Sequence, residues 1–210
     1  MAVRNCNARG HAASEHIVQF FDTDESRARN VAAFLAAGYA AGDTLIIVAR
    51  PVIWAAMIEQ LEAQGVPVHT AVGSGRLVVK DAFATLQSLS RGGSPDAVLF
   101  EQVVGRSVRT LAARGRVRAY GEMVDLLAQR GELEDAIKLE GFWNDLSAQV
   151  SIFLMCGYSA AHFVSTSTHR ALLDICSTHS TVKQDDHDPL GNWLLNASHN
   201  TPIAIGTLRH

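Results

Sequence analysis

The chain has little cysteine: Cys6, Cys156 and Cys176 are the only three in 210 residues. An odd number in a chain long enough to build its own core excludes a disulfide-stapled scaffold, and free thiols in a reducing compartment are expected. Charge of one sign is also missing. Eighteen Lys and Arg against 21 Asp and Glu leave a net charge of −3, too even a balance for broad attraction to nucleic acid or to an anionic membrane, so direct nucleic-acid binding is not expected. No run reaches the roughly 18 uncharged apolar residues that a spanning helix requires. Residues 1 to 14 carry Arg4 and Arg9 without the apolar stretch of a secretory signal. A soluble, cytoplasmic protein without membrane contact is the expectation.

Several catalytic signatures are absent as well. There is no CxxC and no HxxxH, and no nucleophile elbow of the G-x-S-x-G type; Gly73-Ser74-Gly75 lacks the strand-to-helix setting that motif needs. A glycine-rich phosphate loop is missing too. The first strand-to-helix turn, where a nucleotide-binding α/β domain would place one, reads Asp22-Thr23-Asp24-Glu25-Ser26. Three acids there would repel phosphate rather than cradle it, which argues against P-loop ATP hydrolysis. The same acids suit the positive end of a helix dipole; a metal or cationic ligand at Asp22 and Asp24 is the alternative.

What is present is an alternation of apolar runs and amphipathic segments, with 48% apolar residues to fill a core. His16 to Phe21 reads as a strand, followed by a helix with Val31, Phe34, Leu35 and Gly38 on one face, closing near Gly42. Thr44 to Ala49 is an uninterrupted apolar run, the pattern of a strand covered on both faces, and Arg50-Pro51 opens the next helix. Val66 to Val72 and Leu77 to Val79 are expected as short strands around the Gly73-Ser74-Gly75 turn. Asp81 to Ser90 is expected as a helix. A break at Gly92-Gly93-Ser94-Pro95 then starts a long helix ending at Gly115, with Ser94 as cap and Pro95 at its first position.

Val117 to Met123 reads as an internal strand. A short helix to Arg130 follows, then an amphipathic helix from Glu132 to Gln149, a strand over Val150 to Tyr158 and a last helix from Thr168 to Thr178. The expected organisation is a leader over 1–14, one domain over 15–182 and a tail over 183–210. The fold class is α/β, a three-layer αβα arrangement around a mainly parallel sheet.

Glu122 ends the Val117 strand, where open α/β sheets meet their ligands. A carboxylate at that depth needs a cation or several backbone donors. Either it accepts from a ligand hydroxyl or amine, or it forms an internal ion pair with Arg118 or Arg50; use as a general base in an enzyme is a further alternative. Cys156, His162, Cys176 and His179 are metal-capable, but a buried inert thiol is the ordinary fate of a cysteine inside an apolar strand, and no metal is assigned. Arg106, Arg109, Arg114, Arg116 and Arg118 are expected to be mostly a solvated helix face, with a partner surface as the alternative.

Four segments then occur in one order: HIVQFFDTDES, RVRAYGEMVDLL, LEGFWNDL, and LMCGYSAAHF followed by LLDICSTHS. Together they resemble the MEDS domain, the sensory domain of the dichloromethane repressor DcmR and its relatives in methanogens and methylotrophs, over about residues 15 to 182. The resemblance implies a diverged RecA/KaiC-like fold that has lost its Walker A loop, and sensing rather than catalysis. Its motifs point to His16, Gln19, Phe20 and Asp22, to Tyr120, Gly121 and Glu122, and to Cys156 and Tyr158.

With Arg50 and His162, the expected ligand-contacting set is Phe20, Asp22, Arg50, Tyr120, Glu122, Cys156, Tyr158 and His162. No residue is assigned as catalytic, and no cofactor is named. The expected role is a stand-alone sensory or regulatory protein that binds a small molecule or a partner and modulates a separate histidine kinase or transcription factor. A non-hydrolysing nucleotide binder or oligomeric scaffold, with homo-oligomer contacts of the RecA type, is the alternative. Trp193, Leu194 and Leu195 are a candidate docking element in the tail.

Overall fold

The computed structural model describes residues 14–183. In chain order the elements are β1 (Glu15–Phe21), α1 (Asp24–Ala40), β2 (Thr44–Ala49), α2 (Pro51–Ala63), α3 (Val68–Gly73), β3 (Leu77–Asp81) and α4 (Ala82–Ser88). There follow β4 (Ser90–Arg91), β5 (Ser94–Pro95), α5 (Ala97–Phe100), α6 (Arg106–Ala112), β6 (Val117–Gly121), α7 (Met123–Gln129), α8 (Leu133–Ser147), β7 (Ile152–Ser159), α9 (His169–Thr178) and β8 (Thr181–Lys183). Among the described residues no helix is long and apolar enough to cross a membrane. The expected leader over 1–14, except Ser14, and the expected tail with Trp193, Leu194 and Leu195 lie outside the described residues, apart from Lys183.

Six strands make one parallel sheet in the order β3-β2-β6-β7-β1-β8. Strand alternation divides the core into two layers. Ile17, Phe21, Leu45, Ile47 and Met155 face α1, α2 and α3, whereas Val18, Phe20, Ile46, Val48, Leu154 and Tyr158 face helices α4 to α9. A sheet covered on both faces needs apolar side chains at every strand position, which is why Thr44 to Ala49 and the β7 run show no alternation of polar residues. Each fully buried large aliphatic or aromatic side chain contributes about 1.5–3 kcal/mol relative to an exposed one.

Local signals set many boundaries as expected. Thr23 caps α1, accepting from the Ser26 amide, and Pro51 occupies the first turn of α2. Three elements differ from expectation. Val66 to Val72 does not form a strand: Val68 and Ala71, three residues apart, are buried in a short helix that Pro67 precedes, and a proline would have interrupted a parallel ladder. Gly92 and Gly93, at φ 61° and 92°, make the two-residue loop of a small hairpin in which Arg91 pairs Ser94 and Ser90 pairs Pro95. The helix cap therefore passes from Ser94 to Asp96, whose carboxylate accepts from the Val98 and Leu99 amides.

The expected long helix forms over 97–112, but its middle, Glu101–Gly105, widens into a π-helical stretch. A side chain at Gly105 would overlap the Glu101 carboxylate, which pairs with Arg109 at 3.0 Å. The third difference is β8, a short edge strand beside β1 that has too few residues to show a pattern. Arg116 and Arg118 also leave the anticipated helix face. They lie at the start of β6 and hold the buried Asp43 at 2.7 and 3.0 Å.

Candidate functional site

Parallel strands end together, so β1, β2, β6 and β7 deliver their following loops to one edge of the sheet. Glu122 follows β6 directly. Its amide donates to the Val48 carbonyl, which continues the β2–β6 ladder by one bond and fixes where the carboxylate points. Asp125 sits one turn later on α7, Arg27 projects from the first turns of α1, and Arg50 lies between β2 and α2.

These four side chains form one network. Glu122 Oε2 accepts from Arg27 Nη1 at 3.1 Å and from Arg50 Nε and Nη2 at 3.0 and 2.9 Å, while its Oε1 accepts from the Arg50 amide. Asp125 Oδ2 lies 3.1 Å from Arg27 Nη1 and 3.0 Å from Arg50 Nη2. Asp125 Oδ1 accepts from the Ser159 amide at 2.7 Å and lies 3.2 Å from His162 Nε2. Two guanidiniums thus balance two carboxylates, the condition under which buried charge is tolerated. Arg27, Glu122 and Asp125 are almost wholly buried; Arg50, 17% exposed, and His162, 21% exposed, are the members that reach solvent.

The environment separates the two acids. Burial raises the Glu122 carboxyl above its ordinary value, against the pull of Arg27 and Arg50. Burial acts on Asp125 in the same direction, but His162, Arg27, the Ser159 amide and Arg50 together hold it below its ordinary value. Arg27 is kept firmly charged: burial opposes its charge, and the Asp125 and Glu122 carboxylates beside it outweigh that cost. Arg27 Nε and the Tyr120 hydroxyl, both buried, have no partner of good hydrogen-bond geometry among the described residues.

The expected set is therefore split. Arg50, Glu122 and His162 meet at the strand ends, with Tyr120 buried beneath them. Asp22 is exposed at the end of β1. Phe20, Cys156 and Tyr158 turn to the opposite face of the sheet, where Phe20 stacks on Tyr158 at 5.7 Å and both rings meet Phe163 edge-on. There Tyr158 Oη donates to Glu140 Oε1 at 2.8 Å and the Cys156 thiol to Glu140 Oε2 at 3.1 Å. Burial, then the Glu140 charge, pushes both the Cys156 thiol and the Tyr158 phenol well up. Of the four metal-capable residues named from sequence, Cys156 and His179 come together, whereas His162 belongs to the Asp125 network.

Arg27, Asp125 and Glu140 escaped the sequence reading, although each carried a signal. Arg27 shares the inward face of α1 with Val31, four residues on; Asp125 lies inside the buried run Met123 to Ala128; Glu140 falls in phase with Ala136 and Trp143 on the apolar stripe of α8. A charge on an apolar face implies a buried partner. Of the two ion-pair partners expected for Glu122, Arg50 pairs with it, while Arg118 is taken by Asp43; Arg27, not anticipated, supplies the second cation.

A surface cavity of about 530 Å³ lies away from this edge, between the start of α8 and α9, lined by Glu132, Asp135, Ile137, Arg170 and Asp174 among others.

Among solved structures, the fold is similar to that of a KaiC-like protein from the hyperthermophilic archaeon Pyrococcus horikoshii OT3, with a TM-score of 0.54 and 14% identity, covering 85% of this chain and 77% of that one. At that identity the likeness concerns the RecA-type fold. No curated protein matches the sequence significantly. Residues 15–180 match the family described as MEDS, the methanogen/methylotroph DcmR sensory domain, and the chain belongs to that family.

Proposed function

We propose that the protein is a non-catalytic cytoplasmic sensor in which a small molecule is read at the strand-end network and the signal passes to a histidine kinase or transcription factor. The observation that carries this reading is the charge-balanced network of Arg27, Arg50, Glu122 and Asp125, open to solvent at Arg50, beside an acidic first turn that has no phosphate loop. Arg50 bridges both carboxylates from a half-buried position at the head of α2. A ligand that competes for Arg50 or His162 would leave a carboxylate short of a partner and favour a second arrangement of the loops that follow β2 and β7; ligand-biased exchange between two such arrangements is the physical content of sensing.

A role for Glu122 as general base gains no support from this geometry, because a base must reach its substrate's proton and this carboxylate is enclosed by guanidinium groups. The test is a thermal-shift screen of the full chain against small halogenated and oxygenated hydrocarbons and nucleotides, run beside Arg50→Ala and His162→Ala. A compound that raises the melting temperature of the wild type but less so that of both variants, at unchanged circular dichroism, supports the reading. Equal shifts in all three proteins would place the binding site elsewhere.

A further inference from the structure

On the other face of the sheet, four elements send one side chain each to a common point: His16 from β1, Glu140 from α8, Cys156 from β7 and His179 from the residue after α9. Each offers one donor atom, and the four atoms lie within 4.8 Å of one another. His16 Nε2 is 3.3 Å from Cys156 Sγ and 3.2 Å from Glu140 Oε2. Cys156 Sγ is 3.1 Å from Glu140 Oε2, and His179 Nε2 is 3.4 Å from Glu140 Oε1. Donors at zinc-ligand bond lengths on a tetrahedron stand about 3.3–3.7 Å apart, so side-chain shifts of less than about 1.5 Å would bring these four atoms, now within 4.8 Å of one another, onto one ion.

The surroundings fix both imidazoles in the form a metal needs. Asn144 Nδ2 donates to the Thr178 carbonyl at 2.8 Å, so its Oδ1 faces His16 Nδ1, 2.8 Å away, and accepts that nitrogen's proton. His179 Nδ1 likewise lies 2.7 Å from the Ile175 carbonyl, which can only accept. Imidazoles held through Nδ1–H direct Nε2 to the common point, the arrangement by which outer partners orient metal-binding histidines. The His179 side chain is fully buried, and among the described residues its Nε2 makes no contact of good hydrogen-bond geometry, Glu140 Oε1 lying 3.4 Å away.

His16 Nε2 and Glu140 Oε2, 3.2 Å apart, are two electron-pair donors that a cation between them would hold together. A divalent ion with one thiolate and one carboxylate sums to zero. We propose that His16, Glu140, Cys156 and His179 form a closed, buried site for a divalent transition-metal ion of the zinc class. With four protein ligands it is a structural centre, tying the end of α9 and the β8 edge to β1, β7 and α8. It does not depend on the ligand-sensing reading above.

Cobalt(II) is the probe. The full chain, stripped with chelator and titrated with Co²⁺, should bind one equivalent, melt at a higher temperature and show sulfur-to-cobalt charge-transfer absorption with tetrahedral visible bands, and Zn²⁺ should displace it. Cys6→Ser with Cys176→Ser leaves Cys156 as the sole thiol and should keep the charge-transfer band; Cys156→Ser alone should lose it, and His179→Ala should weaken binding at least tenfold. Absence of the band from the double variant, or its survival in Cys156→Ser, would overturn the assignment. So would a wild-type protein that neither carries metal as purified nor responds to Co²⁺. The double variant settles the matter even if Cys156→Ser fails to fold.

Discussion

Arg27 Nη1 stands 3.1 Å from Glu122 Oε2, a buried ion pair between residues 95 apart in sequence that joins the first turns of α1 to the end of β6. Asp125, one turn beyond Glu122, shares the same two guanidiniums, so removing Arg27 alters the balance of both acids at the sheet edge.

Replacing Arg27 by Met should therefore destabilise the protein by about 3 kcal/mol, because Glu122 and Asp125 are left with Arg50 as their only guanidinium. Urea denaturation reads this as a lower midpoint at unchanged slope. Adding Glu122→Gln to Arg27→Met should cost less than the sum of the two single changes, since the second removes the charge the first left unpaired. Strict additivity would mean the pair does not couple.

Asp125 and Glu122 should give stability opposite slopes with pH. The native pKa of Asp125 lies below its unfolded value of about 3.9, so its contribution is complete above that value and is lost as pH falls through the native pKa. Glu122 is raised, so its contribution is present below its unfolded value of about 4.3 and is lost as pH rises through the native pKa. Asp125→Asn should melt well below the wild type at neutral pH, with the gap narrowing toward about pH 3, whereas Glu122→Gln should remove the opposing slope. Melting curves collected across that range decide it; a gap for Asp125→Asn that stays constant with pH would contradict the assignment.

Gly157 of β7 has no room for a side chain. A Cβ there would come 2.7 Å from the Tyr120 hydroxyl and 3.1 Å from a ring carbon of Phe21. Gly157→Ala should cost about 1–3 kcal/mol by overpacking. Tyr120→Phe in the same chain should recover part of that, because it deletes the nearest atom. Calorimetry on the three proteins would show it.

The acidic first turn makes a separate prediction about α1. Thr23, not a carboxylate, accepts the Ser26 amide, so Thr23→Ala should cost about 1 kcal/mol and the loss should persist in high salt. Neutralising Asp24 or Glu25, which interact with the helix end through charge, should cost less and fade as salt is added. A salt-sensitive Thr23→Ala effect would point to a different cap.

Most elements were legible because their signal is local. The β-branched run Thr44 to Ala49, Pro51 at a helix start and the three-and-four spacing of Leu139, Trp143 and Leu146 each depend on neighbours within a few residues. The readings that failed involved chain punctuation with two solutions. Gly92-Gly93 serves a hairpin as well as a helix break, and Val66-Pro67-Val68 alternates like a strand while folding as a helix that buries Val68 and Ala71.

The sequence by itself determined the α/β class, the parallel sheet, the missing phosphate loop and the place of Glu122 at a strand end, since burial pattern and turn chemistry are written in adjacent residues. Only the tertiary structure decided which side chain meets which acid: Arg27 and Arg50, not Arg118, for Glu122, and His16 and His179 around Glu140. Strand order sets those encounters, and strand order follows from how two whole faces of the sheet are covered, a property that no stretch of neighbouring residues contains.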